Sequence, residues 1–173
     1  MTVEFHRPYP LDAIGEGARE ISVEANADER AALARRFDLI SVGKLTAKAM
    51  LTREGEVVNA IGELYADVVQ SCVATATPLP VKVKEGFSLR FVPMAAAGEE
   101  EVELDADACD TVEYEGGAID LGEAVAETMA LALDPFPRSP DADAILKEAG
   151  VLGEGDFGPF AALKALKDKM GGS

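Results

Sequence analysis

The sequence predicts an α+β fold: an antiparallel sheet, open or curled towards a barrel, with a covering helix and a C-terminal helical tail. Three runs, residues 45–51, 60–72 and 81–91, alternate apolar and polar side chains with period two, as half-buried strands do. One later run, residues 121–133, instead places Leu121, Ala124, Val125, Thr128, Met129 and Ala132 at helical spacing. The tail repeats that spacing with Phe160, Leu163, Leu166 and Met170.

The elements follow in order. Residues 1–17 read as a lead-in punctuated by Pro8, Pro10, Gly15 and Gly17. A short strand over 20–24 precedes a helix over 27–36. Asn26 and Glu29 have capping-box spacing there, and Leu33 and Phe37 face the core. In the first long strand Leu45, Ala47, Ala49 and Leu51 alternate with Lys44, Thr46 and Lys48. In the second, Ala60, Gly62, Leu64, Ala66 and Val68 share one face. Arg53-Glu54-Gly55 joins the two as an antiparallel hairpin. Thr77-Pro78-Leu79-Pro80 breaks the chain before the third strand, which Pro93 ends. Residues 92–137 contain no Lys or Arg, and Gly98-Glu99-Glu100-Glu101 reads as an acidic loop. A short strand over 111–114 and a Gly116-Gly117 turn lead to the main helix. Asp120 and Glu123 have capping spacing at its start, and Asp134-Pro135-Phe136-Pro137 stops it, with Phe136 expected to plug the core. A short helix over 141–149 and a link of Gly150, Gly153 and Gly155 complete the chain before the tail. The expected division is a domain over 1–149 and a linker with a basic amphipathic tail over 150–173.

Composition narrows the function. The net charge is −16 and the sequence pI about 4.4, which repels phosphate backbones at long range and suits a basic partner. Cys72 and Cys109 do not make a secreted disulfide framework, and residues 1–10 lack the apolar stretch of a signal peptide. With no apolar run long enough to span a bilayer, a cytoplasmic location without membrane contact is expected.

The chemistry-bearing residues are sparse. The single histidine, His6, lies in the lead-in, where a solvated role is expected, and no Ser/His/Asp or Cys/His constellation forms around it. No Gly-rich phosphate loop occurs. Asp105, Asp107 and Asp110 begin like a calcium loop, but Asp110 replaces its glycine and Gly116 its bidentate glutamate. Cys72 has Thr75 three residues on, one thiolate where zinc needs four ligands. No catalytic residue, metal ligand or cofactor is assigned.

Three segments in a fixed order carry a family signal. Gln70-Ser71-Cys72-Val73-Ala74-Thr75-Ala76-Thr77-Pro78 is a strand ending in cysteine. Ile119-Asp120-Leu121-Gly122-Glu123-Ala124-Val125 opens the main helix, and Leu131-Ala132-Leu133-Asp134-Pro135-Phe136-Pro137-Arg138 closes it. With Pro159-Phe160-Ala161-Ala162-Leu163 near the end, this resembles the YceD-like family, the large ribosomal RNA subunit accumulation proteins, over roughly residues 15–170. Cys72, Pro78, Asp120, Leu121, Pro135 and Pro137 are the matched positions. The resemblance implies a role in accumulation of large-subunit ribosomal RNA and brings no catalytic residues. Many relatives carry a second cysteine where this chain has Thr75, so the resemblance brings no metal or redox role here.

The reading is a non-enzymatic factor that binds a ribosomal protein or pre-ribosomal particle during assembly. Phe160, Leu163, Lys164, Leu166 and Lys167 of the tail are its candidate partner contacts. The tail and the Lys82/Lys84/Arg90 face could touch RNA phosphates locally. A metal-binding module with partly lost ligands and a carboxylate-dependent hydrolase are the alternatives.

Overall fold

A computed structural model describes residues 3–94, 110–150, 163, 166, 167 and 169–171. The chain divides into two compact units, Met1–Gln70 with Pro80–Pro135, and Ser71–Leu79 with Phe136–Ser173.

The first unit holds a five-stranded sheet in the order β2-β3-β4-β5-β6: β2 (Arg19–Glu24), β3 (Ser41–Glu54), β4 (Val57–Ser71), β5 (Pro78–Pro93) and β6 (Asp110–Tyr114). β2, β3 and β4 pair antiparallel, and the β3–β4 hairpin keeps one register from Lys44↔Asp67 to Glu54↔Val57. That register puts Leu45, Ala47, Ala49 and Leu51 on the same face as Val58, Ala60, Leu64, Ala66 and Val68, and all nine are buried. Four of these nine are alanines, small enough to let the covering elements approach the strands closely. At Gly62, opposite Ala49, a Cβ would lie 1.9 Å from the Lys48 carbonyl oxygen, so a side chain there is excluded.

Two helices bury their apolar stripes in the same core. α1 (Ala27–Arg36) starts with a complete capping box: the Asn26 side chain accepts from the Glu29 amide at 2.9 Å, and Glu29 accepts from the Asn26 amide at 2.7 Å. It contributes Leu33. α2 (Leu121–Ala132) contributes Leu121, Ala124, Val125 and Met129. Its N-cap, Asp120, accepts from the Glu123 amide at 3.2 Å. In the second unit, α3 (Ala142–Glu148) matches the expected short helix.

The structure corrects four expectations. The sheet is not closed into a barrel; among the described residues β2 and β6 are its outer strands. Nor is it wholly antiparallel, because β6 pairs parallel with β5, Leu89↔Asp110 to Pro93↔Tyr114. Residues 94–109 give the connection the dozen or more residues that a parallel return requires. The lead-in is built into the fold. β1 (Pro8–Pro10) pairs with β7 (Ala118–Asp120) as a second sheet, a 3-10 turn (Leu11–Ala13) follows, and Phe5 and Ile14 are buried in the core. Pro8 and Pro10 are tolerated because a two-stranded ribbon needs no amide from them on its open side. Finally, Phe136 is 75% exposed rather than plugging the core. The expected acidic loop over 98–101 lies outside the described residues.

Candidate functional site

The residues that open α2 organise the strongest site. Asp120 ends β7 and caps α2, and its carboxylate also accepts from the Arg7 amide at 2.9 Å and lies 2.5 Å from Nδ1 of His6. The Arg7 carbonyl in turn accepts from the Leu121 amide at 3.1 Å. The lead-in is therefore stitched across the first turn of α2. Gly122 makes this possible: a Cβ there would meet the Phe5 carbonyl oxygen at 2.4 Å. The Arg7 guanidinium holds Glu29 at 2.7 and 2.9 Å and donates to the carbonyls of His6 and Glu24. It thereby joins the lead-in to the α1 capping box. The Arg7 hydrogen bond holds the Glu29 carboxyl below its ordinary range, and desolvation only partly opposes it.

Beside this node lies a cleft of about 520 Å³. Its floor is apolar, with Phe91, Val112, Ile119 and Ala124, and its walls carry Glu113, Glu115, Asp120, Glu123 and Glu127 with the single cation-capable ring of His6. Glu123 is taken by Arg36 of α1, at 2.8 and 2.7 Å, and Arg36 also reaches Glu4 at 3.0 Å. Burial, then the charge of Glu123, push the Glu127 carboxyl up, against Arg36 at 3.8 Å. The lining holds no Ser, Thr or Cys, and the Tyr114 hydroxyl donates to the Glu56 carbonyl. What the cleft offers is negative charge over an apolar floor, the chemistry that holds a Lys or Arg by its head and its methylenes.

A second cluster lies wholly within the other unit. Cys72, 2% exposed, has its Sγ 3.3 Å from the Ser139 amide, which donates to it. Thr75 and Thr77 share a hydroxyl hydrogen bond at 2.7 Å, and the Cys72 amide donates to the Thr77 carbonyl. The Ser139 amide first, then the Thr75 hydroxyl, draw the thiol down to about 7 against the opposing effect of burial. Where zinc would need further thiolates, Thr75 and Ser139 present hydroxyls. Among the described residues no group of three or more His, Cys, Asp or Glu is placed to hold a metal ion.

The sequence-selected positions thus fall into two groups. Asp120 and Leu121 are at the α2 node, Leu121 buried and Asp120 half-buried. Pro135 is exposed after α2. Cys72 and Pro137 meet in the second unit, where the buried Pro137 accepts from the Val73 amide at 2.8 Å, and Pro78 begins β5. Leu163, Leu166 and Lys167 are helical and exposed, while Phe160 and Lys164 lie outside the described residues. Sequence reasoning missed His6, Arg7 and Ser139. The one available signal was Gly122, a glycine in an otherwise Ala-rich helical run, which marks close backbone approach.

The family model described as large ribosomal RNA subunit accumulation protein YceD matches residues 61–167, more than half of the chain. No curated protein and no solved structure matches. No helix among the described residues is long and apolar enough to cross a membrane.

Proposed function

We propose, from the premise that the chain belongs to the YceD family, that it supports accumulation of large-subunit ribosomal RNA by holding a basic ribosomal component rather than by catalysing a reaction. The family's name ties it to that accumulation. The observation that carries the mechanism is the cleft at the head of α2. Glu113, Glu115 and Glu127 stand exposed around an apolar floor, in a chain of net charge −16. A lysine- or arginine-rich extension of a ribosomal protein would place a cationic head among these carboxylates and its stem on Phe91 and Val112. A partner held in this way is kept from indiscriminate contact with RNA until it docks at its own site. The helical tail is the second proposed contact: Leu163, Leu166 and Met170 are exposed beside Lys167 and Lys169, an amphipathic face suited to a groove on the partner.

Co-sedimentation of the purified chain with large-subunit precursor particles, repeated across salt, tests this reading. Binding is expected to weaken with salt and to be lost in Glu113→Lys/Glu115→Lys. Deleting residues 156–173 is expected to weaken it without lowering the unfolding midpoint. Particle binding unchanged by the charge reversal would overturn the role of the cleft, and unchanged by the deletion, that of the tail.

A further inference from the structure

The solvent face of the large sheet gathers lysines, set among the exposed carboxylates Glu63, Asp67 and Glu85, with Glu63 and Asp67 opposite Lys48 and Lys44. Every lysine in the first 146 residues, Lys44, Lys48, Lys82 and Lys84, lies on β3 or β5 and is exposed, and Arg90 of β5 joins them. None of the five is in an ion pair among the described residues. Most arginines elsewhere are spent differently: Arg7, Arg36 and Arg138 bind carboxylates, and Arg19, Arg30 and Arg53 donate to backbone carbonyls. Between the two basic strands, β4 presents apolar and aromatic surface. Ile61 is 61% exposed opposite Met50, and Tyr65 is 39% exposed opposite Thr46. The Lys84 ammonium lies 5.6 Å from the centre of the Tyr65 ring, whose hydroxyl donates to Glu63 at 2.7 Å.

We propose that this open face of β3, β4 and β5 binds single-stranded RNA, with a base stacked on Tyr65 and the backbone passing over Lys48, Lys82, Lys84 and Arg90. A sheet face carrying an exposed aromatic ring, with cations beside it that are in no ion pair among the described residues, is the arrangement that splayed nucleotides need: every base has a π-face, and the phosphates find their charge on either side. Glu63 and Asp67 lie on the same strand, and Glu20 and Glu24 of β2 mark an acidic border. A carboxylate among the bases can accept from exocyclic amino groups, so Glu63 is compatible with a base beside it. The charge of −16 acts mainly at a distance, and at physiological salt it is screened over about 8 Å. Contact with the lysines is shorter than that. The face uses none of the cleft residues, so it stands or falls independently of the cleft.

The test uses fluorescence anisotropy of the full chain with a short fluorescein-labelled single-stranded RNA of mixed sequence, an RNA duplex of the same length, and heparin as competitor. The single strand is expected to bind more tightly than the duplex. Each phosphate neutralised contributes about −0.7 to the slope of log K against log salt. Lys82→Ala/Lys84→Ala should therefore make the slope shallower by about 1.4. Loss of one stacked base in Tyr65→Ala is expected to weaken binding about 5- to 150-fold, and Tyr65→Phe, which keeps the ring, should bind like wild type. Unchanged unfolding midpoints would establish that the variants fold. No measurable binding to the single strand would overturn the proposal. So would equal affinity for the duplex, or RNA binding that Tyr65→Ala leaves intact and heparin abolishes, which is polyanion association only.

Discussion

Replacing Gly122 by alanine tests the stitching of the lead-in to α2. In an ordinary helix the change would be favourable, because alanine exceeds glycine in helix propensity by about 1 kcal/mol. Here the new Cβ would stand 2.4 Å from the Phe5 carbonyl oxygen and 3.0 Å from the Arg7 amide nitrogen. Both obstacles are backbone, so no rotamer change relieves them. The lead-in must move about an ångström, which strains the Leu121–Arg7 and Arg7–Asp120 hydrogen bonds, each contributing about 1 kcal/mol. It also lifts Phe5, which is fully buried. Overpacking of this kind costs about 1–3 kcal/mol before those losses. The net expectation is a destabilisation of about 2–4 kcal/mol, or a midpoint lower by roughly 4–16 °C for a chain of this length. Urea denaturation and thermal melting measure it. Gly17→Ala, where nothing lies within 4 Å of the added Cβ, serves as the control and should stay within about 0.5 kcal/mol. If Gly122→Ala proves as stable as wild type or more so, the close approach of the lead-in is wrong.

Three further expectations follow from the structure. Leu64→Ala and Leu89→Ala each open a cavity in the core and should lose about 2–5 kcal/mol by chemical denaturation; surface-like losses would mean the inward face is misassigned. In a Cys109→Ser background, the Cys72 thiol should titrate near 7 by thiolate absorbance. Because its folded value is depressed, its contribution to stability is complete above the unfolded value and fades as pH falls through about 7. The stability gap between this background and its Cys72→Ser derivative should thus narrow in acid, and a gap that widens would refute the thiolate cradle. Arg7→Leu should cost about 1–3 kcal/mol at neutral pH. Glu29, held low by Arg7, contributes above the ordinary glutamate range and loses that contribution as pH falls through its lowered value. The variant's deficit should therefore shrink in acid.

Local chemistry made much of the fold legible. The Asn26–Glu29 spacing located α1 to the residue, and the period-two runs identified the buried face of β3 and β4 through Leu45, Leu51 and Leu64. What escaped was long-range. β1 and β7 have three residues each, too few for any period, and Pro8 and Pro10 look like breakers until Ile119 is placed beside Tyr9. The parallel pairing of β6 depends on a partner about twenty residues away. His6 and Asp120 are 114 positions apart, and Cys72 and Ser139 are 67 apart, so no window along the chain joins them. The capping role of Asp120 could be read from Glu123; its role as anchor for Arg7 could not.

The most direct measurement is the ratio of large- to small-subunit ribosomal RNA in a strain lacking this chain, complemented with wild type or with the folded Glu113→Lys/Glu115→Lys variant. Wild type should restore the ratio, and the charge-reversed cleft should leave the large-subunit RNA depleted. Equal restoration by both would contradict the proposed role of the cleft.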